Sequence, residues 1–297
     1  MSSTARKTLG FAIFVLLCSL LAYSPLRQLL HLALTEDTYS HILLVPAITA
    51  ALLWMNRASA ADWNGSTPLA AALFFVAGSL LLVLGEHFAS DTPAGDGLAV
   101  AILGVLVLIW SGILFFYGAP ALQRYLFPFG FLLLAVPLPR PWIDGFVEWL
   151  RAGSATVTDA LFHLTGTPVL REGYVFVVPG AAIDIAPECS GIRSAIAMLV
   201  LCLLAGYLFL RSGWARTALL VAAAPMLVIK NGIRIVTLTL LATHIDPSFL
   251  TGKLHHQGGF VFFVVGMLIL WPVLLWLQAM ERRTGRGGTT NPSPVSS

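Results

Sequence analysis

Eight apolar runs, most of them about 20 residues long, decide what this chain can become; they lie at roughly 9–26, 40–55, 68–86, 97–117, 120–136, 190–210, 215–242 and 256–279. A helix rises about 1.5 Å per residue, so about 20 apolar residues cross about 30 Å of hydrocarbon. Lipid offers the backbone no hydrogen-bond partner, so such runs must close their bonds within a helix. Composition agrees: 58% of the 297 residues are hydrophobic and only 10% are charged. A soluble domain has about 25% charged residues, and a disordered chain has more charge and less apolar surface. Both classes are excluded. The net charge of +3 is too small and dispersed for nucleic-acid binding. The fold class expected is an all-α polytopic membrane protein of about eight transmembrane helices. The second and fifth runs are short for a span. The first follows Arg6 and Lys7, and Leu21-Ala22-Tyr23-Ser24-Pro25 is a poor cleavage site, so that run reads as an anchor.

Lys and Arg concentrate on the cytoplasmic side of membrane proteins. The segments holding Arg6, Lys7, Arg57, Arg124, Arg211, Arg216, Arg282, Arg283 and Arg286 carry nine basic residues against two acidic ones, Asp62 and Glu281. The opposite segments hold six basic and twelve acidic residues. This bias predicts that both termini are cytoplasmic, and an even number of spans agrees. A membrane domain over 1–284 and a disordered cytoplasmic tail over 285–297 are expected.

The outer segment 137–189 carries more than a loop. Pro137, Pro139 and Pro141 end the fifth helix. Ile143, Phe146, Val147, Leu150, Val157 and Leu161 then recur at helical spacing among Asp144, Glu148, Arg151 and Asp159. That pattern predicts one or two interfacial amphipathic helices. Tyr174 to Val178 and Ala181 to Ile185 flank Pro179-Gly180 and predict a small β-hairpin leading into Pro187-Glu188-Cys189.

Ionisable groups within apolar runs are costly and usually functional. Cys189 lies in Glu188-Cys189-Ser190-Gly191-Ile192-Arg193, where the sixth run begins. A helix N-terminus favours a thiolate, and Arg193 four residues on would share the cysteine's helix face. A lone cysteine is more often a small buried hydrophobe. That bland reading suits Cys18 and Cys202, which sit in plain apolar runs, better than it suits a cysteine flanked by charges. Lys230, Asn231 and Arg234 lie on one side of the seventh helix, and that side cannot face lipid. Lys230, the deeper of the two cations, is the better candidate for a structural role. His255-His256 opens the eighth run before Gln257-Gly258-Gly259. The predicted topology brings Cys189, Arg234 and His255 to the same outer leaflet. A thiolate attacks a carbonyl, an imidazole moves a proton, and a cation holds a developing oxyanion. Cysteine spacing suggests neither a metal site nor a disulfide framework, and no cofactor is expected.

At these residues the chain resembles the exosortase/archaeosortase family, polytopic cysteine transpeptidase-like proteases of the membrane. Ala186-Pro187-Glu188-Cys189-Ser190-Gly191-Ile192-Arg193-Ser194 looks like the nucleophile block. Asn231-Gly232-Ile233-Arg234-Ile235 is similar to the family's Asn-x-x-Arg-Ile block, and His255-His256-Gln257-Gly258-Gly259-Phe260 to its His-x-x-x-Gly-aromatic block. Phe260 stands where tryptophan is common. Tyr39-Ser40-His41-Ile42-Leu43-Leu44-Val45-Pro46 resembles the segment near the family's start, and the likeness spans about 38–280. It implies a nucleophile at Cys189, a general base and acid at His255, and an oxyanion or carbonyl stabiliser at Arg234. It further implies substrate binding by Arg193, Glu188 and Asn231, with Glu188 paired to Arg193 or Arg234. The implied partner is the C-terminal sorting signal of exported proteins: a short motif such as Pro-Glu-Pro, a membrane helix and a basic tail. The implied place is the cytoplasmic membrane, with the site facing outward and membrane lipid around it. Hydrolysis and transfer to an external amine are both open.

Other intramembrane chemistries fit less well. Ser190-Gly191 suggests a rhomboid-type serine, but Glu188 stands where that motif has glycine. The chain has no HExxH for zinc, and Ala94-Gly95-Asp96 lacks the Gly-x-Gly-Asp pattern of aspartyl enzymes. A transporter or channel that binds an anion at Lys230 and Arg234 is the alternative from another class, although no matched pair of broken helices marks two halves.

Overall fold

A computed structural model describes residues 3–56, 65–91, 96–250 and 253–286. The tail beyond Arg286 lies outside the described residues, as do Arg57 and Asp62 of the charge pattern. Among the described residues, six helices are long and apolar enough to cross a membrane, or eight if two bent helix pairs each count as one span. The chain divides into two units, Met1–Ile143 and Asp144–Ser297.

The first unit contains α1 (Ser3–Leu21), α2 (Tyr23–Thr35), a 3-10 turn (Asp37–Leu43), α3 (Leu44–Met55), α4 (Pro68–Asp91) and α5 (Asp96–Phe116). Two short helices, α6 (Ala119–Arg124) and α7 (Leu126–Phe131), and a 3-10 turn (Leu132–Ala135) follow. The expected first span therefore bends, with α1 and α2 meeting at 77°. The expected fifth span, 120–136, is three short pieces. Both breaks have one cause. A proline removes its own N–H and crowds the carbonyl four residues earlier. Pro25 points back to Leu21, where α1 ends, and Pro128 points back to Arg124, where α6 ends. Tyr125 fills the second break, and its hydroxyl donates to the Asn56 carbonyl at 2.9 Å.

Helix α5 is the centre of this unit: 67% of its most apolar stretch is buried, against 17% for α4. The two helices pack through glycines. A Cβ on Gly85 would stand 2.3 Å from the Ala101 nitrogen, and one on Gly104 would stand 2.6 Å from the Leu82 nitrogen. Small residues at such contacts let two membrane helices approach backbone to backbone. The opposite face of α4 exposes Leu69, Leu73, Val76, Leu80 and Val83, a stripe at helical spacing that suits hydrocarbon.

The second unit holds most of α8 (Arg140–Leu164), a three-stranded antiparallel sheet, a 3-10 turn (Pro187–Ser190), α9 (Ile192–Phe209), α10 (Gly213–His244) and α11 (Lys253–Arg286). The predicted amphipathic stretch is one helix. Its inner face buries Leu150, Ser154, Ala155, Thr158 and Phe162. The predicted hairpin forms as β2 (Val175–Val178) and β3 (Ala181–Asp184), joined at Pro179-Gly180, with Gly180 at φ +88°. A strand without a clear sequence signal, β1 (Leu170–Glu172), adds to the far side of β2 and gives the order β1-β2-β3.

The sheet packs on α8 and α10 through Phe162, Phe176, Val178, Ile185, Ile235 and Val236. Phe162 and Phe176 are fully buried, each worth about 1.5–3 kcal/mol of apolar burial. Arg151 ties the junction together. Its Nε donates to the Ile185 carbonyl at 2.7 Å, and its guanidinium lies 4.1 Å from the centre of the Tyr174 ring. The Tyr174 hydroxyl donates to Glu148, and this bond pushes the phenol's pKa up.

Candidate active site

The segment carrying Cys189 is shaped by its neighbours. Pro187 opens the 3-10 turn, and the Cys189 amide donates to the Ala186 carbonyl at 2.9 Å. Gly191 follows at φ +76°, a left-handed conformation that side chains resist. It caps α9, which begins at Ile192. Cys189 is therefore in a turn before the helix, separated from it by a backbone reversal. The helix face that Cys189 and Arg193 were expected to share does not form, because i and i+4 are neighbours only along a continuous helix. Arg193 and Glu188 are both exposed at this end of α9.

Helix α10 supplies the other groups. Lys230 and Asn231 are buried, at 3% and 1% exposure, and Arg234 is half-buried, so this face does turn away from lipid. Asn231 is committed within the protein. Its amide nitrogen donates to the Ser154 hydroxyl at 3.0 Å and to the Cys189 carbonyl at 3.1 Å. Lys230 is committed as well: its Nζ donates to the Ser194 hydroxyl at 2.6 Å, and that hydroxyl donates to the Gly191 carbonyl at 2.9 Å. Two residues of α10 thus hold the backbone on both sides of Ser190. A Cβ on Gly191 would stand 2.9 Å from the Asn231 side-chain oxygen, so the clamp also needs glycine for space.

Close helix contact makes this reach possible. A Cβ on Gly153 would come within 2.8 Å of the Val228 side chain, and one on Gly232 within 2.5 Å of the Val157 side chain, so each helix seats a valine of the other against a glycine. Ser154 and Thr158, buried on α8 beside this contact, were not singled out in the sequence. Their signal is faint: small polar residues four apart, in register with Leu150 on an otherwise apolar face.

Cys189 and Arg234 line one cleft, together with Ile183, Asp184, Ile185, Ile235, Leu238 and Thr239. Two separate segments therefore deliver the predicted sulfur and the predicted cation to one place. His255 and His256 belong to the first turn of α11, and their side chains lie outside the described residues. None of the three cysteines is in a disulfide, and Cys18 and Cys202 are buried as expected of small hydrophobes.

The chain matches the family model for transmembrane exosortases over residues 33–272, the region that carries the cleft, the cysteine turn and both α10 cations. No curated protein and no solved structure matches it. A match over most of the chain, on a bundle of membrane-crossing helices, assigns it: the chain belongs to the transmembrane exosortase family, a family of membrane transpeptidases and sorting proteases.

Proposed function

We propose that this protein is a cysteine peptidase or transpeptidase that removes the C-terminal sorting signal of exported proteins at the outer face of the cytoplasmic membrane. The observation that carries the reading is the shared cleft of Cys189 and Arg234. His255 takes the proton of the Cys189 thiol as the sulfur attacks the scissile carbonyl, and the C–N bond then breaks. The amine of the released C-terminal piece takes a proton from His255. Arg234 faces the oxygen where negative charge develops, and a preorganised cation beside an oxyanion is worth several kcal/mol. The thioester then passes its acyl group to water or to an external amine, with His255 removing the proton from that nucleophile. Arg193 and Glu188, exposed beside the cysteine turn, serve to grip charged substrate residues. Asn231 acts from behind by holding the turn.

Two features favour this reading over its rivals. Ser190 is 1% exposed, which leaves no path for a serine nucleophile. Lys230, one of the two cations a transporter would use for its anion, is 3% exposed and bonded to Ser194.

Mass spectrometry of cargo C-termini tests the proposal. Cells with Cys189→Ala should retain the intact C-terminal segment, with processing down at least ~1,000-fold, while membrane levels of the protein stay near parental. Unchanged trimming in that variant would overturn the assignment. Arg234→Ala and His255→Ala are expected to fail in the same way.

A further inference from the structure

The cleft has a property that its residue types do not explain. Ile183, Asp184 and Ile185 all line it, although they are consecutive in an extended segment. Side chains alternate between the faces of a strand. Three in a row can border one space only where that space lies along the strand's edge. β3 is an edge strand, with β2 on one side and no strand on the other.

Register decides which backbone groups the edge offers. Phe176 pairs with Ile183, and the Ile185 amide donates to the Tyr174 carbonyl at 3.1 Å. Those residues turn their N–H and C=O toward β2. The intervening residues, Ala182 and Asp184, turn theirs the opposite way, and both residues are exposed. Among the described residues, nothing bonds to them on that side. Open edges are templates for another extended chain. This one runs toward Cys189, along the wall that faces Ile235, Leu238 and Thr239 of α10.

We propose that the open edge of β3 binds the peptide substrate as a fourth strand, through the backbone groups of Ala182 and Asp184, and so lays the scissile bond against Cys189. This rests on the peptidase reading above and adds how the substrate is held. Recognition is then largely through main chain, with side-chain preference confined to positions facing Arg234 and the apolar wall. An extended peptide is required, because only that conformation repeats its N–H groups at the spacing of Ala182 and Asp184.

The full chain in phospholipid vesicles, assayed with a fluorogenic peptide spanning a Pro-Glu-Pro cleavage region, tests this. The peptide is N-methylated at one non-proline residue at a time. The expected profile has period two: methylation at alternate positions raises KM about tenfold, as loss of one ladder bond would, and the positions between stay near the parent. Asp184→Pro, which removes one outward N–H and keeps the pairing with β2, should raise KM about tenfold with a smaller change in kcat. Iodoacetamide should alkylate Cys189 at the parental rate in that variant. A flat or non-alternating methylation profile, with the parent peptide still cleaved through Cys189, overturns strand addition alone. Cleavage that persists in Cys189→Ala, or a parental chain that never cleaves the peptide, overturns the peptidase reading and this proposal with it.

Discussion

At the scale of single residues, the site depends on the backbone around the cysteine as much as on the cysteine. Gly191 meets two demands at once, a left-handed φ of +76° and the nearness of Asn231. Gly191→Ala should cost about 1–2 kcal/mol for the conformation alone, and more for the contact. Slower cargo processing and an altered rate of Cys189 alkylation would register it. Asn231 offers a sharper test. Asn231→Asp keeps the shape but cannot donate to the Cys189 carbonyl. It should destabilise the turn by about 1–3 kcal/mol and lower kcat with little change in KM. A variant in which KM alone rises would mean that Asn231 meets the substrate after all.

At the scale of elements, glycine contacts and proline breaks set the architecture. Gly85→Val is expected to separate α4 from α5, because the Ala101 backbone stands where the new Cβ must go. Overpacking of this kind costs about 1–3 kcal/mol or more, and thermal unfolding in detergent would report it. The sheet stands on Phe176, fully buried against Phe162 with ring centres 6.1 Å apart. Phe176→Ala should cost about 3–5 kcal/mol. The loss should appear first as protease sensitivity between Leu170 and Ile185 while the apolar helices remain intact. Helices α10 and α11 each carry a proline, Pro225 and Pro272, and continue through it. In these longer helices the flanking turns outweigh one lost bond. In the short segments around Pro25 and Pro128 they do not.

At the scale of the whole molecule, the distribution of Lys and Arg makes a directional prediction. A membrane-impermeant maleimide applied to intact cells should label Cys189, since Cys18 and Cys202 are buried at 4% and 2% exposure. A reporter cysteine at Arg282 should react only after permeabilisation. Labelling at position 282 from outside, with Cys189 reacting only after permeabilisation, would reverse the proposed orientation and remove the site from contact with exported cargo.

The apolar runs, the amphipathic helix, the Pro-Gly hairpin and the polar face of α10 were legible in the sequence. Each is a local or periodic pattern, and the cost of a bare backbone or a lone charge in lipid leaves such patterns few alternatives. The charged segment around Cys189 and the polar cluster of α10 were legible too, as residue types at fixed spacing. Only the tertiary structure decided that the Cys189 turn lies outside the helix, that Asn231 and Lys230 grip it from α10, and that Ser154 joins them from α8. It alone decided that the edge of β3 forms a wall of the cleft with Cys189 and Arg234. These are contacts between residues 36 to 77 positions apart. They depend on how closely helices approach at Gly153 and Gly232, a distance set by packing across the fold and not by any pattern within one segment.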